Sequence, residues 1–310
     1  MTPLLRTDWF GLSIVLAFGT VLLAITQPTF LNEFNIYVLL TGFSLSVLVA
    51  LSQMVIIAIG QLNLAVGAIG GLVAISFAGM MEVWGVPIAL AAVLALMIGL
   101  ACGALNGVIT HVSGLNAFVV TLATLSIFKG VNIGITEAQP FYGVPDAVKE
   151  FGNARLGPLP YLLMVAGLCV VAMGVLMTRS VIGRYLLAVG GNRPAAELSG
   201  INIGRVVTIA HILSGGLAAV AGMLAVARLQ LGQPTIGDDW LIISFAAPVI
   251  GGAVLAGGHV SVLGTCLGVA IVTLINNALV LLNVDPFFVQ LLLGLLILAA
   301  VALNRFQDSS

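Results

Sequence analysis

The sequence predicts an all-α membrane protein in which about ten helices cross the bilayer. Of the 310 residues, 61% are hydrophobic and only 7% carry a charge, which is far from the composition of a soluble globular domain. Apolar runs of about 20 residues, the length that spans the hydrocarbon core, follow one another along nearly the whole chain. We therefore expect one transmembrane domain over residues 1–310, lying in the lipid of a plasma membrane.

Charges, prolines and polar stretches divide this apolar sequence into ten predicted spans. The join at Gly60-Gln61, where two apolar runs almost fuse, and the short eighth run are the weakest divisions, so eight or nine spans remain alternatives. The predicted spans are residues 10–26, 36–59, 62–81, 87–109, 115–135, 159–177, 206–227, 240–255, 260–282 and 286–303.

The basic residues predict the orientation, because Arg and Lys beside membrane spans stay on the cytoplasmic side. With both termini inside, six of the ten cations are cytoplasmic and most of the acids are external. Ten spans, an even number, place both termini on the same side. The cytoplasmic cations are then Arg6, Arg179, Arg184, Arg193, Arg205 and Arg305.

The fourth and ninth spans are faintly alike. Each has a Gly-x-x-x-Gly motif followed by asparagine, Asn106 in the fourth and Asn276-Asn277 in the ninth. The two lie five spans apart, and an odd offset gives opposite orientations, as in an inverted repeat. The longest external connection, residues 136–158, is rich in Pro, Gly and both signs of charge, and we expect a cap with a short helix near residues 145–151.

The longest polar interruption, residues 178–205, predicts a helix that docks on a soluble partner. Pro194 suits the first turn of a helix, Glu197 favours its N-terminal end, and Gly200 is placed to end it. Gly190-Gly191 is expected to turn the chain sharply before this helix. Arg184 and Arg193 would flank the contact. The alternative is an ordinary connecting loop, although about 25 residues is long for one.

Motifs of enzymes are missing from the sequence. It has no phosphate-binding Gly-x-x-x-x-Gly-Lys-Ser/Thr motif, and its three histidines are far apart. Few charges lie within the spans, which argues against an ion-coupled carrier. Neutral amides can instead exchange hydrogen bonds with a polyhydroxylated solute, although they can equally join helix to helix. The residues predicted to line a solute path are Asn63, Asn106 and Asn276.

Several stretches resemble the permease subunits of bacterial ABC importers for simple sugars, the ribose-type carbohydrate uptake family. Residues 183–203 are similar to its cytoplasmic coupling region, where Ala195, Ala196 and Gly200 fall on the pattern Glu-Ala-Ala-x-x-x-Gly and Pro194 replaces the Glu. Residues 116–130, 227–237 and 251–265 also match. The sequence departs from the family pattern at Gln61, Asn63, Ala65, Pro194 and Ile243.

The resemblance implies a transport subunit of the type II importer fold without catalytic activity or a cofactor of its own. A second permease subunit would complete the pore, as a homodimer or a heterodimer. A solute-binding protein would dock on residues 136–158, and ATPase subunits, which bind the ATP, would dock on residues 178–205. No nucleic acid is expected to take part. The alternative functions are an ion-coupled secondary sugar carrier or facilitator, and a membrane-embedded enzyme.

Overall fold

The computed structural model describes residues 8–284, together with Phe288, Leu291 and Gly294. Apart from those three residues, the predicted span 286–303 lies outside the described part of the chain. Residues 155–160 form a hairpin of two short antiparallel strands, β1 (Arg155–Leu156) and β2 (Leu159–Pro160). The helices are α1 (Asp8–Thr26), α2 (Glu33–Ala58), α3 (Val66–Glu82), α4 (Ile88–Ser113), α5 (Ala117–Thr136), α6 (Asp146–Asn153), α7 (Tyr161–Arg179), α8 (Val181–Gly191), α9 (Arg193–Leu198), α10 (Ile203–Leu229), α11 (Trp240–Ile250) and α12 (Val262–Leu281).

Local sequence explains where many of these helices begin. The side chains of Asn and Ser accept hydrogen bonds from backbone N–H groups that have no partner inside the first turn of a helix. Gly114 ends α4 in the left-handed conformation, which costs glycine little. The residues that cap helix N-termini in this way are Asn32, Asn116, Ser180, Asn192, Asn202 and Ser261.

The first nine predicted spans each coincide with a described helix, but only six of those helices are long and apolar enough to cross a bilayer. These are α2, α4, α5, α7, α10 and α12. The helices α3 and α11 are shorter, with 17 and 11 residues, because a non-helical segment precedes α3 and because α11 ends at Ile250, before the end of its predicted span. The structure is therefore that of a multi-pass membrane protein with six candidate spans among the described residues.

Helix α2 lies at the centre of the molecule. Every residue from Val47 to Ala58 is buried, because α7, α10, α11 and α12 all pack around it. A helix that is apolar on all sides is expected to be buried in this way.

Two sets of helices make equivalent contacts. In the first set, α4 packs on α3 and on α10, and α10 packs on α3. In the second set, α12 packs on α11 and on α2, and α2 packs on α11.

Glycines allow several of the close contacts between these helices. A Cβ atom at Gly99 would lie 2.7 Å from the carbonyl oxygen of Gly215, and one at Gly107 would lie 2.6 Å from the Cα of Thr208. Small residues that bring backbones together are a usual basis for helix association in lipid.

The segment before α11, residues 230–239, runs back along α3 instead of continuing outwards. Gly232 lies beside Ala78, near the end of α3, whereas Gly237 lies against Gly67, near its start. Trp240, the first residue of α11, then contacts Gly67 and Gly70. The N-terminal ends of two short helices therefore meet inside the molecule.

Helix α5 holds the non-helical segments that precede α3 and α11. Thr121 Oγ1 accepts a hydrogen bond from Leu64 N at 3.1 Å, and Asn132 Nδ2 donates one to Pro234 O at 3.2 Å. Lys129 forms an ion pair with Asp238. Polar side chains of one candidate span thus provide hydrogen-bond partners for non-helical backbone, which needs such partners wherever water is excluded.

Candidate functional site

The helix predicted between Pro194 and Gly200 is present as α9. Asn192 Oδ1 accepts a hydrogen bond from Ala195 N at 3.0 Å, and Pro194 lies in the first turn. The helix ends where Gly200 takes a φ of +81°, and Gly200 N and Ile201 N donate to the carbonyl oxygens of Glu197 and Ala196. The predicted start at Pro194 and end at Gly200 are therefore confirmed as local structure.

A second helix in residues 178–205 was not predicted. Helix α8 runs to Gly191, so the prediction that Gly190-Gly191 turns the chain is wrong. A Cβ atom at Gly190 would overlap the carbonyl oxygen of Ala58, so the glycine permits a close approach of two backbones. The turn occurs one residue later, at Asn192, whose φ of −156° and ψ of 95° are extended.

The outer surface of α9 presents an apolar side chain that sequence analysis overlooked. Leu198 is 92% exposed, whereas Ala196 is buried against the protein. The remaining predicted contact residues are all exposed. They are Arg184, Arg193, Pro194, Ala195, Glu197 and Gly200. An exposed leucine at the end of a helix flanked by cations is suited to fill an apolar groove on a partner.

A cavity of about 630 Å³ lies between α2, α11 and α12. Its volume is within the range of small-molecule sites, which are mostly apolar with a few convergent polar groups. Its polar lining combines amides, hydroxyls, an indole ring and one group of each charge, all of which can bind a sugar hydroxyl or ring. These side chains are Thr29, Asn32, Asn35, Ser46, Arg228, Asp239, Trp240, Thr273, Asn276 and Asn277.

Asn276 and Asn277, neighbours on α12 that both line this cavity, differ in the hydrogen bonds of their side-chain amides. Asn277 and Asn35 hydrogen-bond to each other through both amides, at 2.7 and 3.2 Å. The side-chain oxygen of Asn276 is buried and has no hydrogen-bond partner among the described residues. A buried polar atom without a partner destabilises a protein unless something else binds it. Asn276 Oδ1 is therefore a buried acceptor beside the cavity whose hydrogen-bonding capacity no described residue uses.

The other two predicted path residues lie elsewhere. Asn63 is completely buried, and its amide donates to Ser214 Oγ at 3.0 Å and accepts from Ala65 N at 2.9 Å. Asn106 is also completely buried, and neither of its amide atoms has a partner among the described residues. Only Asn276 of the three lines the cavity.

Few features of the sequence marked the other cavity residues. Arg228, Asp239 and Trp240 lie beside the ends of predicted spans, where charged and aromatic residues usually mark the membrane interface. Ile243, one of the departures from the family pattern, also lines the cavity. The sequence signal for these residues was Asp239 followed by Trp240, a charged and an aromatic residue at the start of the unusually short eighth predicted span.

The connection of residues 136–158 is folded against the helix ends. Helix α6 covers residues 146–153, which confirms the short helix predicted near 145–151. Tyr37 OH donates to Gly152 O at 3.1 Å, and Arg155 pairs with Glu33 at 2.6 Å while lying over the ring of Tyr37. This connection forms a structured surface on the same side as the cavity residues Asn32 and Phe34.

A family model described as "Branched-chain amino acid transport system / permease component" matches residues 35–301 of this chain. The chain belongs to this permease family. It is 37% identical to the ribose import permease protein RbsC of Bacillus subtilis over 293 residues, which are 93% of this chain and 90% of the relative. The search of solved structures gave no match.

Two further relatives from Escherichia coli are similar over nearly their full length. The ribose import permease protein RbsC is 35% identical over 92% of this chain and 91% of its own. The D-allose transport system permease protein AlsC is 32% identical over 96% of this chain and 92% of its own. The resemblance to simple-sugar permeases is thereby confirmed.

Proposed function

We propose that this chain is the membrane permease subunit of an ABC importer that carries a monosaccharide or a related small polyol into the cell. The observation that carries the proposal is the end-to-end similarity to permeases named for ribose and D-allose, at 37% and 32% identity. The mostly uncharged cavity with its amides and Trp240 suits a neutral polyhydroxylated solute.

Helix α9 is the proposed site where an ATPase subunit docks. Its exposed Leu198 would insert into an apolar groove, while Arg184 and Arg193 would contact acidic groups around that groove. Asn192 and Gly200 define both ends of the helix, so its exposed face is held in one orientation. ATP would be bound and hydrolysed by the partner, and ATP-driven motion would reach the permease through this helix.

The cavity lined by Asn276 is the proposed solute path within one subunit. The free amide oxygen of Asn276 would accept a hydrogen bond from a sugar hydroxyl, and Trp240 would pack against the apolar face of the sugar ring. Solute would arrive from an external binding protein docked on the surface formed by residues 136–158. A second permease subunit, identical or homologous, would complete the translocation pore.

The proposed membrane arrangement has ten spans related by an inverted repeat, with both termini in the cytoplasm. Equivalent contacts support the repeat. Helix α4 packs on α3 and α10 in the same way that α12 packs on α11 and α2. The two short helices, α3 and α11, would each cross only together with the non-helical segment before them. Such broken helices at the repeat interface are typical of transporters.

The runner-up is an ion-coupled carrier that works without ATP. Such a carrier needs ionisable groups inside the membrane to bind or relay the ion. Among the described residues that are fully buried, His211 is the single ionisable one, and its ring faces Gln61 at 3.4 Å. This scarcity of buried charge favours the ATP-driven importer.

Assembly of the purified subunits tests the proposed function. The permease should bind an ATPase subunit, and adding the sugar-loaded binding protein should stimulate ATP hydrolysis by the complex. A permease that binds no ATPase subunit, or a complex whose hydrolysis ignores the binding protein, would refute the proposal.

A further inference from the structure

Five glycines from three separate parts of the chain meet beside the N-terminal cap of α9. Gly190 and Gly191 end α8, Gly60 follows α2, and Gly257 and Gly258 lie between α11 and α12. We call this cluster the glycine junction. Gly258 N also donates a hydrogen bond to Ala58 O at 3.1 Å, which joins the segment after α11 to the end of α2.

The backbones in the junction touch directly. A Cβ atom at Gly257 would lie 2.6 Å from Gly60 N and 2.9 Å from Gly190 Cα, and one at Gly258 would lie 2.6 Å from Gly191 Cα. Gly257 and Gly258 have φ values of +97° and +82°, which side chains other than glycine rarely adopt. Contacts of this kind contain no flexible side chain that could absorb a displacement of one segment against another.

The junction lies between the two sites described above. Asn192, the residue after Gly191, caps α9, so a single residue joins the end of α8 to the start of α9. On the other side, residues 251–261 continue directly from α11, whose Trp240 and Ile243 line the cavity. Gly60 continues from α2, which lines the cavity through residues from Phe34 to Val49.

We infer that the glycine junction transmits the displacement of α9 to α2 and α11 and thereby changes the shape of the solute cavity. The inference rests on the proposed function, because it assumes that an ATPase subunit moves α9. Gly60, Gly190, Gly257 and Gly258 are positioning residues in this mechanism, since they contact neither ATP nor solute. Their close packing makes the segments move together, as packed protein interiors transmit strain.

Hydrogen exchange on the unmodified permease tests the junction without any variant. The full-length protein is assembled with the ATPase subunit in lipid nanodiscs, and exchange is followed in residues 251–261 with and without a non-hydrolysable ATP analogue. We expect exchange there, including the Gly258 amide, to change at least threefold when the analogue binds, while α6 stays unchanged. Unchanged exchange in residues 251–261 would overturn the inference.

The variant Gly257→Ala provides the functional measurement. We expect ATP hydrolysis within about twofold of the unmodified complex but sugar uptake at least tenfold lower, so the number of ATP molecules used per sugar rises. Gly174→Ala in α7, where a Cβ meets nothing within 4 Å, is the matched control and should change neither. Uptake and hydrolysis that keep their normal ratio in Gly257→Ala would overturn the inference.

Failure of the inference and failure of the proposed function give different results. If the unmodified complex shows no ATP-driven uptake, the proposed function is wrong. If the unmodified complex takes up sugar but residues 251–261 do not respond to the ATP analogue, only the role of the junction is wrong. A Gly257→Ala permease that failed to assemble would leave the exchange measurement on the unmodified protein to decide.

Discussion

The side-chain amides of Asn35 and Asn277 hydrogen-bond to each other at 3.2 and 2.7 Å and so join the start of α2 to α12 in the wall of the cavity. Asn276, the preceding residue on α12, has an amide oxygen with no partner among the described residues. Two identical side chains next to each other therefore have different roles in our account. Asn277 is a structural residue, and Asn276 is the proposed solute contact.

Replacing each of these asparagines by alanine should separate the two roles. Asn277→Ala removes two side-chain hydrogen bonds and should destabilise the protein by about 1–2 kcal/mol, lowering the melting temperature in detergent. Asn276→Ala should leave the melting temperature unchanged but reduce sugar uptake several-fold in the assembled importer. A loss of stability in Asn276→Ala equal to that in Asn277→Ala would contradict the assignment of Asn276.

The exposed leucine of α9 should dominate docking of the ATPase subunit. Burial of a leucine side chain contributes about 1.5–3 kcal/mol, so Leu198→Ala should weaken binding of the ATPase by about tenfold or more. Ser199→Ala, at the adjacent exposed position, is the control and should change binding little. Binding can be measured by titrating labelled ATPase into permease in nanodiscs. Equal affinities of the two variants would exclude Leu198 as the main contact.

Gly200 should couple ATP hydrolysis to transport through the end of α9. Its φ of +81° costs a branched residue about 1–2 kcal/mol, and no atom lies within 4 Å of a Cβ placed there. Gly200→Val should therefore insert and fold normally but reorient the end of α9, so that hydrolysis continues with reduced uptake. Normal uptake per ATP in Gly200→Val would count against this role.

The proposed orientation predicts which surfaces an impermeant thiol reagent can reach. In a variant with Cys102, Cys169 and Cys266 replaced by alanine, Gly157→Cys should be labelled from outside intact cells. Ser199→Cys should be labelled only after the membrane is made permeable. Both positions are exposed, and a Cβ atom at Gly157 meets nothing within 4 Å. The reverse pattern would require the opposite topology.

Sequence patterns predicted the helices well and their contacts poorly. Hydropathy located a helix in each of the first nine predicted spans, because long apolar runs leave few alternatives in a membrane. It could not show that residues 230–239 turn back along α3, because the decisive contacts, such as Gly237 with Gly67, join distant parts of the chain. The helices α3 and α11 were also predicted too long, at residues 62–81 and 240–255, because hydropathy does not separate a helix from the apolar non-helical residues before α3 and after α11.

Local sequence signals predicted the bounds of α9 correctly but misled where two backbones pack closely together. Pro194 and Gly200 correctly bounded α9, since both act within one or two turns of the helix. Gly190-Gly191 resembled a turn, but these residues are helical and small because Ala58 and Gly258 approach them. The sequence did not separate Asn276, which lines the cavity, from Asn63, which bonds to Ser214 and Ala65, because it does not contain the distances between side chains far apart along the chain.

Sugar uptake into sealed vesicles tests the central claim most directly. Full-length permease is reconstituted with the ATPase subunit and the loaded binding protein, and uptake of labelled D-ribose, D-allose and L-arabinose is measured with ATP or with an ion gradient alone. Our account predicts that at least one of these sugars or a related polyol accumulates only with ATP, and that uptake persists when ion gradients are collapsed. Accumulation driven by an ion gradient without ATP would contradict it.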